Sequence, residues 1–184
     1  MEQKIILRPS AASRWIACPA SVRLSQGIEQ EPAGEAAQIG TAIHALAELC
    51  FKAGSNPHDY VGKAVEGITM TAANADYAQL HLDEIKRVHE ELGHVKVEQY
   101  VTVLDSESFK LGGTADVVGL GKGKLIVSDL KTGKGWVDAD SDQLKIYALG
   151  AIRSAAKNGI PPPQSIELRI VQPHHGDVRS HSMT

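Results

Sequence analysis

Residues 111–134, LGGTADVVGLGKGKLIVSDLKTGK, constrain the fold more than any other stretch of the chain. Leu111 to Leu120 has strand composition, Gly121 to Gly123 supplies a Gly-Lys-Gly turn, and Lys124 to Leu130 reads as a second strand, which predicts an antiparallel hairpin. Side chains alternate faces along a strand. Asp129 and Lys131 therefore project to one side and Leu130 to the other, and Asp116 can be brought opposite them from the neighbouring strand. Strand interiors are poor in Asp because an unpaired buried carboxylate is expensive, so two acids beside a lysine need a partner such as a metal cation. For either acid alone, a strand end or a surface salt bridge is the better explanation.

Upstream, Lys4 to Leu7 is strand-like, and SAASRWIACPASVRLS predicts a helical turn, an interruption at Pro19 and a second helical piece, with Trp15, Ile16 and Val22 as core contacts. Arg14 is a candidate phosphate contact, against the plainer reading of an exposed arginine. Gln26 to Gly34 reads as a loop. Glu35 to Ala53 has helical periodicity and Gly54 ends it as a C-cap, with Ile39, Ile43, Leu46, Ala47 and Cys50 as the buried stripe. Gly40, His44 and Glu48 stack along one edge of that stripe, and Gly40 would let a backbone or ligand approach His44. A lone histidine beside an apolar face is more often a hydrogen-bonded core residue than a ligand. Asn56 to Gly67 reads as a short helix or loop. A long helix then runs from the Thr71 N-cap to Gly93 on an apolar face of Ala75, Ala78, Leu82, Ile85, Val88 and Leu92, with His81 and His89 on its exterior and no chemistry of its own.

His94 to Leu104 alternates as a strand, and Glu98 either reaches the acidic site or faces solvent. After the hairpin, residues 132–140 form a loop with Trp136, and Ser141 or Asp142 caps a helix to about Asn158 with a stripe of Leu144, Ala148, Ala151 and Ala155. Gln143 and Tyr147, four apart, could reach a ligand held by the preceding strands, or could simply be surface residues. Ser165 to Gln172 is a last strand, followed by a polar tail. His174, His175 and Asp177 superficially suggest a metal site, but Pro173 and Gly176 make a turn the better explanation. The chain stops soon after a strand, as a piece of a longer protein would.

The 184 residues, 42% hydrophobic and 22% charged, suit one domain with a real core, its helical part at about 10–93 and its sheet at about 94–178. No apolar run reaches a membrane span and MEQKIILRPS lacks the apolar segment of a signal peptide, so a cytoplasmic protein is expected. Two cysteines, Cys18 and Cys50, argue against a disulfide framework, show no complete zinc or iron-sulfur ligand set and read as buried free thiols. A net charge of −3 argues weakly against a bulk nucleic-acid coat, yet bases outnumber acids between Gly121 and Lys157, a segment that could face a phosphate backbone. No P-loop, dinucleotide fingerprint, Gly-x-Ser-x-Gly elbow or His-Glu-x-x-His is present.

Taken in order, SRWIACP, GTAIHALAE, GGTADVV, IVSDLKTGK and QLKIY resemble the PD-(D/E)XK nuclease superfamily, specifically its RecB-like branch, with the CRISPR-adaptation exonucleases and many phage recombination nucleases. The resemblance implies an α/β fold, a restriction-endonuclease-like core in which a central mixed sheet of three antiparallel strands, a helix and a further strand is flanked by helices. It implies a divalent-metal-dependent DNA nuclease, an exonuclease of phage or prophage recombination, with an endonuclease or a catalytically silent DNA-binding or assembly module as alternatives. Asp116 and Asp129 would be metal-binding carboxylates, Lys131 the catalytic lysine, His44 a further ligand of Mg²⁺ or Mn²⁺, and Leu130 a ligand through its carbonyl. Gln143 and Tyr147 match the family's Q-x-x-x-Y signature for DNA handling, and Arg14 and Lys134 are candidate DNA contacts beside them. DNA is the expected partner; a recombination protein and an oligomer are compatible with the resemblance, a membrane is not. Relatives often carry an iron-sulfur cluster on one N-terminal and three C-terminal cysteines. Only Cys18 matches, and no cluster is expected.

Overall fold

Hydrophobic patterning resolves into two layers of helix around one sheet. The computed structural model describes residues 4–28, 32 and 34–184, so most of the expected loop between Gln26 and Gly34 lies outside the described residues. In chain order the elements are β1 (Ile5–Leu7), α1 (Ala12–Ala17), α2 (Ala20–Leu24), α3 (Glu35–Ala53), β2 (Ala64–Val65), β3 (Ile68–Thr69), α4 (Ala72–Leu92), β4 (Lys96–Asp105), β5 (Phe109–Gly121), β6 (Lys124–Leu130), α5 (Asp142–Lys157), β7 (Ser165–Gln172) and β8 (Asp177–Met183). The sheet is mixed, ordered β1-β5-β6-β7-β8, with β4 also on β5. β4, β5 and β6 are antiparallel neighbours, α5 carries the chain across to β7 parallel to β6, and β8 returns antiparallel to β7.

Local chemistry explains the element ends. Gly54 and Gly93 close α3 and α4 at φ 64° and 78°, left-handed values that favour glycine. The Thr71 and Ser141 hydroxyls accept the Asn74 and Leu144 amides as N-caps. Lys122 and Gly123 both take positive φ, 52° and 73°, which gives the tight β5–β6 turn the twist of its strands.

One face of the sheet is covered by α3 and α4, whose Ile43, Leu46, Leu82, Ile85 and Val88 pack with Val117, Ile126 and Leu130. The other face is covered by α5, where Leu144, Ala148 and Ala151 pack with Val101, Ala115, Leu125 and Ile170. Strict alternation would put Ala115 with Val117, and Val97 with Val101, on one face. Instead Val97 and Val117 join the first cluster while Val101 and Ala115 join the second. The switch falls at Glu98, which takes φ +50°, and at Asp116. These two stand opposite one another between the Val97–Val117 and Gln99–Ala115 pairs.

Several expectations need correction. Asn56 to Gly67 contains one short 3₁₀ turn and the first strand of a small hairpin, β2 and β3. The sheet is wider than 94–178: β1 joins it in parallel with β5, and the polar tail forms β8, whose backbone pairs with β7 although its side chains show no apolar alternation. Ile16 is 50% exposed and Trp15 and Val22 are only partly buried, leaving Ala12 as the buried residue of α1. Cys18 is exposed; Cys50 is buried. His81 is fully buried, while His89 is exposed as expected. Part of the basic segment is engaged within the fold. Lys124 lies 2.6 Å from both Glu91 and Glu167, Lys145 lies 2.6 Å from Asp140, and Lys122 donates to the Glu91 carbonyl. Among the described residues, no helix is long and apolar enough to cross a membrane.

Candidate metal and catalytic site

The β5–β6 ladder ends at Val117–Ser128, one step before Asp116 and Asp129 would face each other. At this fork the Asp116 side chain replaces the ladder: its Oδ2 accepts the Leu130 amide at 2.8 Å. With Glu98 opposite Asp116 on β4, three acids lie in register across three adjacent strands. Asp116 and Asp129 are 8% and 2% exposed, so their charges are poorly solvated.

Imidazoles approach from the helices. His44 on α3 places Nδ1 3.4 Å from both Asp116 Oδ2 and Glu98 Oε1. His81 on α4 stacks obliquely on His44 with ring centroids 5.3 Å apart. Potential ligand atoms of His44, His81 and Asp116 lie within 4.8 Å of one another, a group able to hold a metal ion. Gly40 brings α3 close to the strand end, since a Cβ there would stand 3.0 Å from Thr132 Oγ1. Where a backbone or a ligand was expected to approach at Gly40, the neighbour is a threonine side chain.

Opposite this, Lys131 Nζ sits 2.8 Å from Asp129 Oδ2 and donates to Gln143 Oε1 at 3.0 Å. The Gln143 amide in turn donates to Asp129 Oδ1 at 3.0 Å and to Tyr147 Oη at 3.2 Å. Asp129 and Lys131 project together, and Leu130 goes into the α3/α4 core, as the alternation predicts. Gly113 accommodates the far side, where a Cβ would stand 3.0 Å from Pro9 and 3.4 Å from the Tyr147 ring.

Electrostatics follow from crowding acids in a poorly solvated fork. Burial pulls the His44 pKa down, but the Glu98 hydrogen bond and the charges of Asp116, Glu98 and Asp129 outweigh it and raise it to about 9. Asp116 is raised to about 8 by burial and by the Asp129 charge, against the opposing pull of His44 and the Leu130 amide. Burial and the Asp129 and Asp116 charges push the Tyr147 phenol up to about 12, despite the Gln143 bond. Burial, with the His44 charge, takes His81 down to about 3, a neutral ring. Extra protons on His44 and Asp116 mark a site that is short of positive charge.

The geometry gathers His44, Asp116, Asp129, Lys131, Gln143 and Tyr147 and adds His81 and Glu98. Sequence periodicity holds the missed signal for His81, which lies three residues after Ala78 and four before Ile85 and so shares the apolar stripe of α4. Arg14 and Lys134 make no hydrogen bond or ion pair with these acids among the described residues. Arg14 bonds Ser25 Oγ at 2.6 Å in a groove of about 480 Å³ with Lys4, Arg8 and Trp15, and Lys134 is exposed. The 173–175 segment is a 3₁₀ turn closed by Gly176, as expected; His174 lies by Tyr77, the His175 ring by the Lys134 carbonyl, and the Asp177 side chain lies outside the described residues.

A family model described as protein of unknown function (DUF2800) matches residues 5–184. Among solved structures, the crystal structure of SSO0001 is similar over 100% of this chain and 69% of that chain, at 13% identity and a TM-score of 0.40. A candidate exonuclease from Eubacterium rectale is similar over 98% of this chain and 73% of that chain, at 12% identity and a TM-score of 0.48. Likeness at these levels carries no inference about chemistry.

Proposed function

We propose that the chain, which belongs to the family of proteins of unknown function DUF2800, is a divalent-metal-dependent nuclease that hydrolyses phosphodiester bonds of DNA and works as an exonuclease in phage or prophage DNA processing. The observation that carries this reading is the Lys131 ammonium held between Asp129 and Gln143 at 2.8 and 3.0 Å, beside an Asp116–His44 pair in need of positive charge. Order and spacing of the five motifs support the RecB-like branch.

The donor set suits a hard divalent ion: Asp116 and Asp129 would hold it, with His44 and the Leu130 carbonyl completing the protein ligands. When bound, Mg²⁺ or Mn²⁺ supplies charge relief on the phosphoryl oxygens and a more acidic water. Lys131 stabilises negative charge developing on the phosphate and orients the attacking water, and Asp129 fixes where the ammonium sits. Gln143 bonds Asp129, Lys131 and Tyr147 at once, and so holds the lysine in a single position against the scissile phosphate. Tyr147 stays a neutral hydroxyl. Arg14 and Lys134 bind the DNA backbone outside the fork.

The test is a time course on end-labelled linear and closed circular DNA with Mn²⁺. Progressive loss of ends, reduced at least about 100-fold in Asp116→Asn and Lys131→Ala with unchanged circular dichroism, is the expected result. Discrete fragments would make the protein an endonuclease, DNA binding without turnover would make it a silent module, and undiminished digestion by both variants would sink the site assignment.

A further inference from the structure

His81 is 0% exposed and, among the described residues, neither ring nitrogen has a hydrogen-bond partner. Buried polar groups nearly always find a partner, and one left unmatched forfeits its hydration with nothing in return. Two such atoms on one ring, on a helix stripe otherwise made of Ala78, Leu82, Ile85 and Val88, are unexplained by packing alone. Polar groups reach the ring from the fork, where His44 stacks at 5.3 Å and Asp116 completes a group with ligand atoms within 4.8 Å. Two ligands each about 2.1 Å from one ion can be no more than about 4.2 Å apart. The widest pair in this group needs to close by only about 0.6 Å, within reach of small side-chain rotations.

We propose that His81 is a metal ligand, so that His44, His81 and Asp116 form a two-imidazole, one-carboxylate centre that takes a first-row transition ion in preference to Mg²⁺. Mg²⁺ favours oxygen ligands and keeps its waters, whereas imidazole nitrogens suit the later transition ions and are accepted by Mn²⁺. The inference rests on the metal dependence proposed above and deepens it by adding a side-chain ligand from α4 and naming the class of ion. It also gives α4 a role in the chemistry, with α3 and α4 joined to β5 through one cation.

Metal binding is measured on the whole protein without DNA, by loss of the free Mn²⁺ signal in electron paramagnetic resonance, with Mg²⁺ as competitor. His81→Phe and His81→Leu remove both nitrogens while keeping most of the volume, and thermal melts confirm that they fold. Wild-type protein is expected to prefer Mn²⁺ over Mg²⁺ by tenfold or more, and the variants to lose that preference through a tenfold or greater weakening of Mn²⁺. Unchanged Mn²⁺ affinity in folded variants, or a wild-type protein without preference, overturns the proposal. Mn²⁺ binding that depends on His81 in a protein that never cuts DNA would uphold it and remove the nuclease reading instead; metal-dependent cutting with His81-independent binding would do the reverse.

Discussion

One oxygen of Asp116 is fixed on the Leu130 amide and the other end of the fork is fixed by Lys131 on Asp129, so the charges are oriented before any ligand arrives. A second group of charges does structural work between β7 and α4. Arg169 bonds Glu84 at 3.2 Å, Glu91 at 2.9 Å and Glu167 at 2.8 Å, and the Arg169 hydrogen bond holds the Glu167 pKa down to about 2. A depressed carboxylate contributes stability that is full above its unfolded value of 4.5 and is lost as pH falls through about 2. Glu84 works in the other direction, because burial raises its pKa in spite of Arg169. Glu167→Gln should therefore flatten the acid limb of stability between pH 4.5 and 2, measured by urea unfolding at stepped pH; an unaltered slope would remove Glu167 from the acid response. Glu167, two residues from Arg169 on one strand, shares its face by alternation, but the α4 partners Glu84 and Glu91, 85 and 78 positions away, could not be read from the sequence. Asp116, Asp129 and Lys131 were legible because two acids and a lysine on adjacent strands are anomalous together, whereas a single histidine on a long helix is not.

Close approach of α4 to the sheet depends on Gly119. A Cβ there would stand 2.4 Å from Val88 Cγ1 and 2.9 Å from Leu92 Cδ1, both in the packed core. Gly119→Ala should cost about 1–3 kcal/mol through overpacking. Gly133→Ala, with open space around it, should stay within about 0.5 kcal/mol. Paired chemical melts compare the two, and equal stability would mean that α4 can move away freely. Elements with chemical punctuation were the legible ones: Thr71 to Gly93, Glu35 to Gly54 and the Gly-Lys-Gly turn all carry their own start or stop signals. β8 has none, since DVRSHSM offers no hydrophobic face and is recruited by the unpaired edge of β7. The switch of faces at Glu98 and Asp116 was equally hidden, because alternation reasoning assumes a strand that keeps its phase.

Across the molecule, the fork is where the three largest units meet: α3 with His44, α4 with His81, and the sheet with Asp116. A cation that bridges them stabilises the folded state by mass action, by about 2.7 kcal/mol at a hundredfold excess over the dissociation constant. A rise in melting temperature of roughly 5–10 °C with Mn²⁺ is the expected result for a chain of this length, with little or none in Asp116→Asn. An equal rise in both proteins would place the ion elsewhere. The order of helices and strands was legible from the motifs, but the convergence of α4 on the fork was not, because it depends on packing between residues far apart in the chain.

The Leu130 amide has a further consequence. Its acceptor is a titratable carboxylate where the ladder would have offered a carbonyl, so the strength of that bond changes whenever Asp116 gains a proton or shares its charge with a cation. A single backbone proton in the middle of the chain is thereby a reporter of the state of the fork. Its nuclear magnetic resonance position and its rate of exchange with solvent should shift with the protonation of Asp116 and with any cation that takes up its charge.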